Sequence, residues 1–129
     1  MAGSIEVNAA NWAAEVLKSN VPTVVYFWHE QCTWCVRLSP IFSEVAEEYR
    51  GKAKFVKFNI LASQENRELA ADNGVMGTPT LMFFCQGRSI GQTVSYVPKE
   101  DLKKVLDNML ETYNRCLKQS SDLRSYVFQ

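Results

Sequence analysis

The sequence predicts a single α/β domain whose first strands are parallel and whose last two strands form an antiparallel hairpin. Short apolar, β-branched runs alternate with stretches whose apolar residues recur at helical spacing, which is typical of parallel strands joined by helices. Gln86-Gly87 separates two further apolar runs, as a tight hairpin turn would. A chain of 129 residues is long enough to bury one full core.

The predicted elements follow the order β-α-β-α-β-α-β-β-α. The strands are expected at residues 4–7, 24–28, 53–60, 80–85 and 88–96. The helices are expected at residues 12–20, 32–49 and 64–73, with a last one from about residue 98. In the first helix we expect an apolar face of Trp12, Val16 and Leu17. Pro40 should kink the second helix rather than end it, since the apolar period resumes at once.

The composition argues against several classes of partner. Fourteen basic and fourteen acidic residues balance, so no net field favours nucleic acid. Residues 1–11 contain no basic stretch followed by an apolar one, and no apolar run approaches the roughly 20 residues of a membrane span. We therefore expect no nucleic-acid or membrane partner and a cytoplasmic location in a reducing compartment. We also expect the chain to be a monomer.

The central feature of the sequence is an apolar strand that leads into two cysteines. A short polar turn follows Trp28, and Cys32 and Cys35 come at the start of the next predicted helix. Residues three apart share one helical face, and a disulfide needs Cα atoms only about 5.5–6 Å apart. Cys32 and Cys35 can therefore close and reopen a disulfide with little backbone motion, which predicts a redox site.

The two sulfurs should have different roles. Cys32 lies at a helix N-terminus, where free N–H groups and the macrodipole lower a cysteine pKa from about 8.5 to roughly 3.5–7.5. Cys35 lies one turn deeper, where burial favours the neutral thiol. Cys32 is then the nucleophile that attacks a substrate disulfide, and Cys35 resolves the mixed disulfide. A static disulfide or a pair of inert core thiols is the alternative interpretation.

His29 is the only histidine in the sequence and lies near both thiols. If protonated, it would further favour the Cys32 thiolate; a solvated turn residue is the alternative. His29, Cys32 and Cys35 could also supply three metal ligands. Structural zinc usually takes four ligands, and no second Cys/His pair is present, so we predict no metal site.

Taken with other motifs, the Cys-x-x-Cys site makes the sequence resemble the thioredoxin family. The motifs that carry the resemblance are Phe27-Trp28 before the cysteines, Pro40 after them, Lys57-Phe58-Asn59 and Gly77-Thr78-Pro79-Thr80. The similarity covers about residues 5–111, so we expect a thioredoxin-like domain at 1–111 and a C-terminal extension at 112–129. The resemblance implies the thioredoxin fold, a central mixed five-stranded sheet flanked by helices on both faces.

The resemblance also implies an enzyme, a thiol–disulfide oxidoreductase with no bound cofactor. Its Cys32–Cys35 dithiol would exchange with protein disulfides, and a reductase or another dithiol would supply the electrons. The alternative is a binding or chaperone-like module with little general reductase activity. That alternative stays open because Tyr26, Gln31 and the C-terminal extension depart from the family pattern.

Several substrate-binding residues are implied by the same resemblance. Pro79 matches the family's cis-proline, and the backbone of Thr78 before it would pair with an extended substrate. Trp28 matches a tryptophan that packs beside the cysteines. Thr33 and Trp34 replace the usual Gly-Pro between the cysteines. Trp34 would either contact substrate or pack against the domain's own surface.

Other departures concern proton transfer and the reduction potential. Tyr26 stands where the family has a buried acid, although the customary partner is kept as Lys57. A buried lysine without an acid is costly, so Lys57 should reach solvent or pair with Glu30 or another carboxylate. Tyr26 should hydrogen-bond Lys57 or serve as a core aromatic, and water should serve in proton transfer. The missing proline predicts a potential less reducing than thioredoxin's, about −270 mV.

The remaining expectations concern the substrate groove and the end of the chain. Ser95 stands where a glycine usually lines the groove and should narrow it. Cys85 and Cys116 should be single thiols, Cys85 as a small buried hydrophobe. The last helix should end at Ser120 to Asp122. Residues 123–128 should fold back onto an apolar patch, with binding of a partner or fraying as the alternatives.

Overall fold

The computed structural model describes the backbone of residues 3–127 and the side chains of residues 3–119. The strands are β1 (Ser4–Val7), β2 (Thr23–Trp28), β3 (Lys54–Asn59), β4 (Thr80–Cys85) and β5 (Arg88–Val94). The helices are α1 (Thr33–Glu48), α2 (Gln64–Asp72) and α3 (Lys99–Val127), with a short π-helical segment at Ala13–Leu17. This order confirms the predicted succession of elements.

The five strands form one mixed sheet in the order β1-β3-β2-β4-β5. β1, β3 and β2 are parallel, whereas β4 and β5 are added antiparallel, so the predicted sheet is confirmed. The hairpin turns at Gln86 and Gly87, which both have positive φ. A side chain at Gly87 would meet the backbone of Leu17 at 2.9 Å, so the close approach there requires glycine.

Alternation along the strands sends apolar side chains to both faces of the sheet. On one face, Tyr26, Phe55 and Leu81 belong to the core that α1 and α3 cover. On the other face, Phe27 and Phe58 belong to the core that α2 and the π-helical segment cover. Helices therefore flank both faces, as predicted.

The π-helical segment differs from the predicted first helix. Trp12 and Val16 are buried, but Leu17 is 41% exposed, so its assignment to the apolar face was wrong. The N–H of Lys18 bonds the carbonyl of Ala13 at 2.9 Å, five residues earlier. This wider turn changes the angular spacing of side chains, which leaves Leu17 outside the buried face.

Helices α1 and α3 both continue past the residues that could have ended them. α1 runs through Pro40, as predicted. α3 runs through Ser120 and Asp122, so the predicted helix end there was wrong; serine and aspartate cost only a fraction of a kcal/mol, below about 0.7, inside a helix. The division at 111/112 stays a prediction, and the packing expected of residues 123–128 lies outside the described side chains.

Cys85 and Cys116 form a disulfide with Cα atoms 6.6 Å apart, so their assignment as single thiols was wrong. Thirty-one residues separate them in the sequence. The β4–β5 hairpin and the turn into α3 bring Cys116 back over the end of β4, a return that local sequence patterns do not show. The described part of the chain has no free cysteine.

The sheet has two ends that matter for function. Phe27, near the end of β2, lies opposite Thr80 at the start of β4, and Thr23 lies opposite Phe84. The end of the sheet at which β2 finishes is called the Cys32 end. The opposite end, at which β4 finishes, is called the Cys85 end. The loop that precedes Thr80 therefore lies at the Cys32 end.

Candidate active site

The cysteines of the Cys-x-x-Cys motif lie where β2 passes into α1. Cys32 is the N-cap residue of α1, and its sulfur accepts a hydrogen bond from the backbone N–H of Cys35 at 3.2 Å. The two residues form a disulfide with Cα atoms 5.2 Å apart. Cys32 is 9% exposed and Cys35 only 1% exposed. The outer sulfur thus lies at the positive end of a helix, where a thiolate is favoured.

His29 shapes the turn before the cysteines. Its carbonyl accepts the N–H of Cys32 at 3.3 Å, and its ring Nδ1 accepts the N–H of Gln31 at 3.2 Å. Both contacts are those of a turn-forming residue, the second of the two interpretations. An effect of His29 on the Cys32 thiol stays a prediction.

Tyr26 lies beneath the site, fully buried in the core. Its hydroxyl donates to the carbonyl of Cys35 at 3.0 Å and lies 2.9 Å from Oγ of Ser39. The hydroxyl therefore binds the first turns of α1 and not Lys57, so Tyr26 is a core aromatic with a polar tip. Burial raises the pKa of Tyr26 above its ordinary value of about 10, so the hydroxyl is neutral at physiological pH.

Lys57 lies in a row of side chains that runs across the sheet. The strand register places it between Glu6 of β1 and Tyr26 of β2. Its ammonium lies 4.4 Å from the ring centroid of Trp28, a cation–π contact that partly replaces the missing buried acid. Glu30 accepts a hydrogen bond from Asn59 Nδ2 at 2.6 Å, and the charge of Lys57 acts to lower the pKa of Glu6, its neighbour across the sheet.

Glu6 completes this row. Its carboxylate accepts a hydrogen bond from Trp28 Nε1 at 3.3 Å. Displacement of water by the surrounding protein raises the pKa of Glu6, although Trp28 and Lys57 act in the opposite direction. Glu6 therefore holds the edge of the Trp28 ring, and Lys57 contacts its face, next to the turn that carries Cys32.

The loop before β4 lies at the same end of the sheet. The Thr78–Pro79 peptide bond is cis. The carbonyl of Pro79 accepts the N–H of Ser95 at 2.8 Å, and Thr80 Oγ1 donates to the carbonyl of Gly77 at 2.7 Å. Ser95 has φ +81°, a conformation that favours glycine, so a serine holds a strained backbone here.

Trp34 packs in part against the domain's own surface, and its contact with substrate stays a prediction. It is 49% exposed, so half of its surface faces solvent beside the cysteines. The rest packs within the domain: its ring centroid is 5.6 Å from that of Tyr96, and the Arg37 guanidinium lies 5.1 Å above it. Thr33, the first residue of α1, is exposed.

Sequence reasoning missed four residues that contact the site: Glu6, Arg37, Ser39 and Tyr96. Ser39 lies four residues after Cys35 on the same helical face, so helical spacing could have found it. Glu6 comes to Trp28 through the strand register, and Tyr96 comes to Trp34 through loop packing. Neither contact has a local signal in the sequence.

The described residues also limit other kinds of site. Among them, no three His, Cys, Asp or Glu side chains converge in a way that could hold a metal ion. None of the helices in the described part of the chain is long and apolar enough to cross a bilayer.

Comparison with known proteins agrees with this geometry. The family model of thioredoxin matches residues 3–108. Thioredoxin 1 of Nostoc sp. is 36% identical over 110 residues, which cover 85% of this chain and all of that protein. The thioredoxin of Pseudomonas aeruginosa is 37% identical over 103 residues, covering 80% of this chain and 93% of that protein. The thioredoxin of Synechocystis sp. is 34% identical over 110 residues, covering 85% of this chain and all of that protein. The chain therefore belongs to the thioredoxin family, and it is a thiol–disulfide oxidoreductase of the thioredoxin type.

Proposed function

We propose that the chain reduces disulfides of protein substrates, with Cys32 as the attacking sulfur and Cys35 as the resolving sulfur. The position of Cys32 carries the proposal. Its sulfur caps α1, receives the N–H of Cys35 at 3.2 Å and is the more exposed of the two. A donor and a helix N-terminus both stabilise the thiolate that attack requires.

The exchange takes two steps. The Cys32 thiolate attacks one sulfur of the substrate disulfide; a mixed disulfide forms, and the other substrate sulfur leaves as a thiolate that takes up a proton. Cys35 then loses its proton and attacks Cys32, which forms the Cys32–Cys35 disulfide and releases the second substrate thiol. Two electrons pass to the substrate. A reductase or another dithiol returns two electrons to the chain.

The proton of Cys35 goes to water in this proposal. Tyr26 occupies the place beneath Cys35, but its raised pKa keeps it protonated, so it cannot act as a base at neutral pH. Its two hydrogen bonds instead hold the first turns of α1 under the disulfide. We assign Tyr26 a positioning role and Lys57 an electrostatic one.

Substrate would lie in the groove between the cysteines and the loop before β4. The backbone of Thr78 would pair with an extended substrate segment, and Pro79 would shape the groove. Trp28, Thr33 and Trp34 would contact the substrate around the cysteines. The exposed half of Trp34 supports an apolar contact there.

A mixed-disulfide trap tests this proposal. A Cys35→Ser variant, offered insulin as a protein disulfide, should accumulate a covalent adduct at Cys32, since the second step is blocked. The matched Cys32→Ser variant should form no adduct, although it keeps the second disulfide. Mass spectrometry of the adduct identifies the linked cysteine.

Wild-type protein with a dithiol donor should reduce insulin catalytically. No adduct in Cys35→Ser and no turnover in the wild type would reject the proposal and support a binding module instead. A cytoplasmic location, a monomeric state and the absence of nucleic-acid and membrane partners stay predictions from the sequence.

A further inference from the structure

The Cys85–Cys116 disulfide lies at the end of the sheet away from Cys32. Cys85 is the last residue of β4, and Cys116 lies well inside α3; their Cα separation of 6.6 Å is within the normal range for a bridge. Because β2 and β4 are antiparallel, Cys85 falls beyond the first residue of β2. At about 3.3 Å per strand residue, roughly 15 Å or more separates the two disulfides. They cannot exchange with each other within one chain.

The second bridge joins a residue within the part of the chain that the family model matches to a residue beyond that part. The match to the family ends at residue 108, so Cys85 lies within it and Cys116 beyond it. We propose that Cys85–Cys116 is a lasting structural bond that fastens the extension of α3 to the β4–β5 hairpin. It stays oxidised while Cys32–Cys35 cycles.

The packing around Cys116 supports a structural role for the bond. Cys85, Tyr113 and Cys116 form a small buried cluster that is separate from the two main cores. Ile90 and Leu117 cover it in part. The Tyr113 hydroxyl also donates to the carbonyl of Asn20 at 3.0 Å, and the covalent bond adds a direct attachment of α3 to the end of β4. The bond also restricts the unfolded chain, since it closes a long loop.

The surroundings of the sulfurs explain why the two disulfides should differ in reducibility. In the reduced Cys32–Cys35 pair, the helix N-terminus stabilises the Cys32 thiolate, which makes that disulfide easier to reduce. Cys116 lies far from the start of α3 and is 6% exposed, and Cys85 is fully buried. Arg88 donates a hydrogen bond to Cys116 Sγ at 3.5 Å and so favours a thiolate there on reduction, whereas the full burial of Cys85 disfavours a thiolate at the other sulfur.

A lasting second disulfide has a consequence for the location of the protein. Structural disulfides persist in oxidising compartments and are rare in the cytoplasm of mesophiles. The second bridge therefore favours an oxidising setting, against the cytoplasmic location expected from the sequence.

The test is a redox titration of the wild-type chain in dithiothreitol buffers of increasing reducing strength. Samples are alkylated and analysed by peptide mass spectrometry, and backbone hydrogen exchange is measured in parallel. Cys32 and Cys35 should become alkylated under milder conditions than Cys85 and Cys116. Hydrogen exchange of residues 110–119 should accelerate about tenfold or more only when the second pair is reduced.

Three results would overturn the proposal. Cys85 and Cys116 could be alkylated without any reductant, they could be reduced together with Cys32 and Cys35, or their reduction could leave exchange at residues 110–119 unchanged.

Two double variants separate this inference from the proposed reductase activity. Cys85→Ala/Cys116→Ala should show fast exchange at residues 110–119 without reductant, whereas Cys32→Ser/Cys35→Ser should exchange there like the wild type. The second variant cannot exchange disulfides, so a failure of the proposed activity does not affect this result. If the first variant does not fold, the wild-type titration decides alone.

Discussion

The two disulfides resemble each other in burial and differ in their place on a helix. Each pairs a sulfur near the surface with a deeper one: Cys32 and Cys116 are 9% and 6% exposed, Cys35 and Cys85 only 1% and 0%. Cys32 caps a helix, whereas Cys116 lies inside one. Exposure alone therefore does not make a redox site. The distinguishing feature of Cys32 is the set of free N–H groups at the start of its helix, because they stabilise the thiolate that attacks or leaves.

The residues around the two disulfides also differ. Beside Cys32 lie the turn that His29 forms and the half-exposed Trp34, and the Thr78–Pro79 loop lies at the same end of the sheet. Around Cys116 lie Tyr113 and the hairpin, which α3 covers. The Cys32 end exposes a large aromatic side chain beside the cysteines, and the Cys85 end carries the covalent bond between the hairpin and α3.

The largest contrast is expected between the Cys32→Ser and Cys116→Ser variants. Cys32→Ser should lower insulin reduction to the uncatalysed background, because no sulfur remains to attack. Cys116→Ser should keep turnover within about twofold of the wild type, since the two sites are distant, but it should melt several degrees lower. Turnover and thermal unfolding, measured on both variants, check this. Loss of turnover in Cys116→Ser would break the division between the two ends.

A smaller change, in stability, is expected when Tyr49 is replaced. This residue, the C-cap of α1, is hydrogen-bonded to α3, at a distance from Cys32. Its hydroxyl donates to Asp107 at 2.8 Å, and burial together with Asp107 raises the pKa of Tyr49 to about 12. The folded-state pKa exceeds the unfolded value of about 10, so the stability from this hydroxyl is complete below pH 10 and is lost as pH rises through about 12.

Tyr49→Phe should therefore lower the free energy of unfolding by about 1–2 kcal/mol at neutral pH. That difference from the wild type should shrink between about pH 10 and 12. Urea unfolding of both proteins across this range provides the measurement. A difference that stays constant with pH would show that the hydroxyl does not titrate as described.

Tyr26→Phe probes the packing beneath Cys35. The variant loses the bonds to the Cys35 carbonyl and Ser39, and it should be about 1 kcal/mol less stable. The pH profile of insulin reduction should keep its shape, because Tyr26 is not the base. Denaturant unfolding and turnover at several pH values check both points. A shifted profile would instead give Tyr26 a part in proton transfer.

The reduction potential of the Cys32–Cys35 pair tests the effect expected of Trp34 between the two cysteines. Equilibration with glutathione should give the Cys32–Cys35 pair a reduction potential above about −270 mV. The Trp34→Pro variant should have a potential lower than the wild type by tens of mV, closer to that of thioredoxin. A shift of about 30 mV corresponds to about 1.4 kcal/mol. A wild-type potential at or below about −270 mV would contradict the effect assigned to the Thr33-Trp34 pair.

The Cys32 end was predictable because its information is local. A β-branched strand, a polar turn and two cysteines at helical spacing follow one another within thirteen residues, 23–35. The order of the elements was predictable for the same reason, since each strand and helix carries its own periodicity, whereas the mixed five-stranded sheet followed from the resemblance to the thioredoxin family.

Contacts between distant segments could not be predicted. The Cys85–Cys116 bridge depends on where α3 returns over the hairpin and on how far the helix extends. The contact of Glu6 with Trp28 depends on the register of parallel strands, which single-sequence patterns do not specify. Local patterns left the choice of Tyr26 partner open, and only tertiary packing resolved it.

Titration of the Cys32 thiol in the reduced protein is the most direct test of the whole account. The rate of alkylation is followed against pH, with Cys35 and free cysteine measured in parallel. Cys32 should reach half its maximal rate below the pKa of free cysteine, about 8.5, and react faster than Cys35 at neutral pH. A half-maximal pH of about 8.5 or above, with equal rates for both cysteines, would contradict the account.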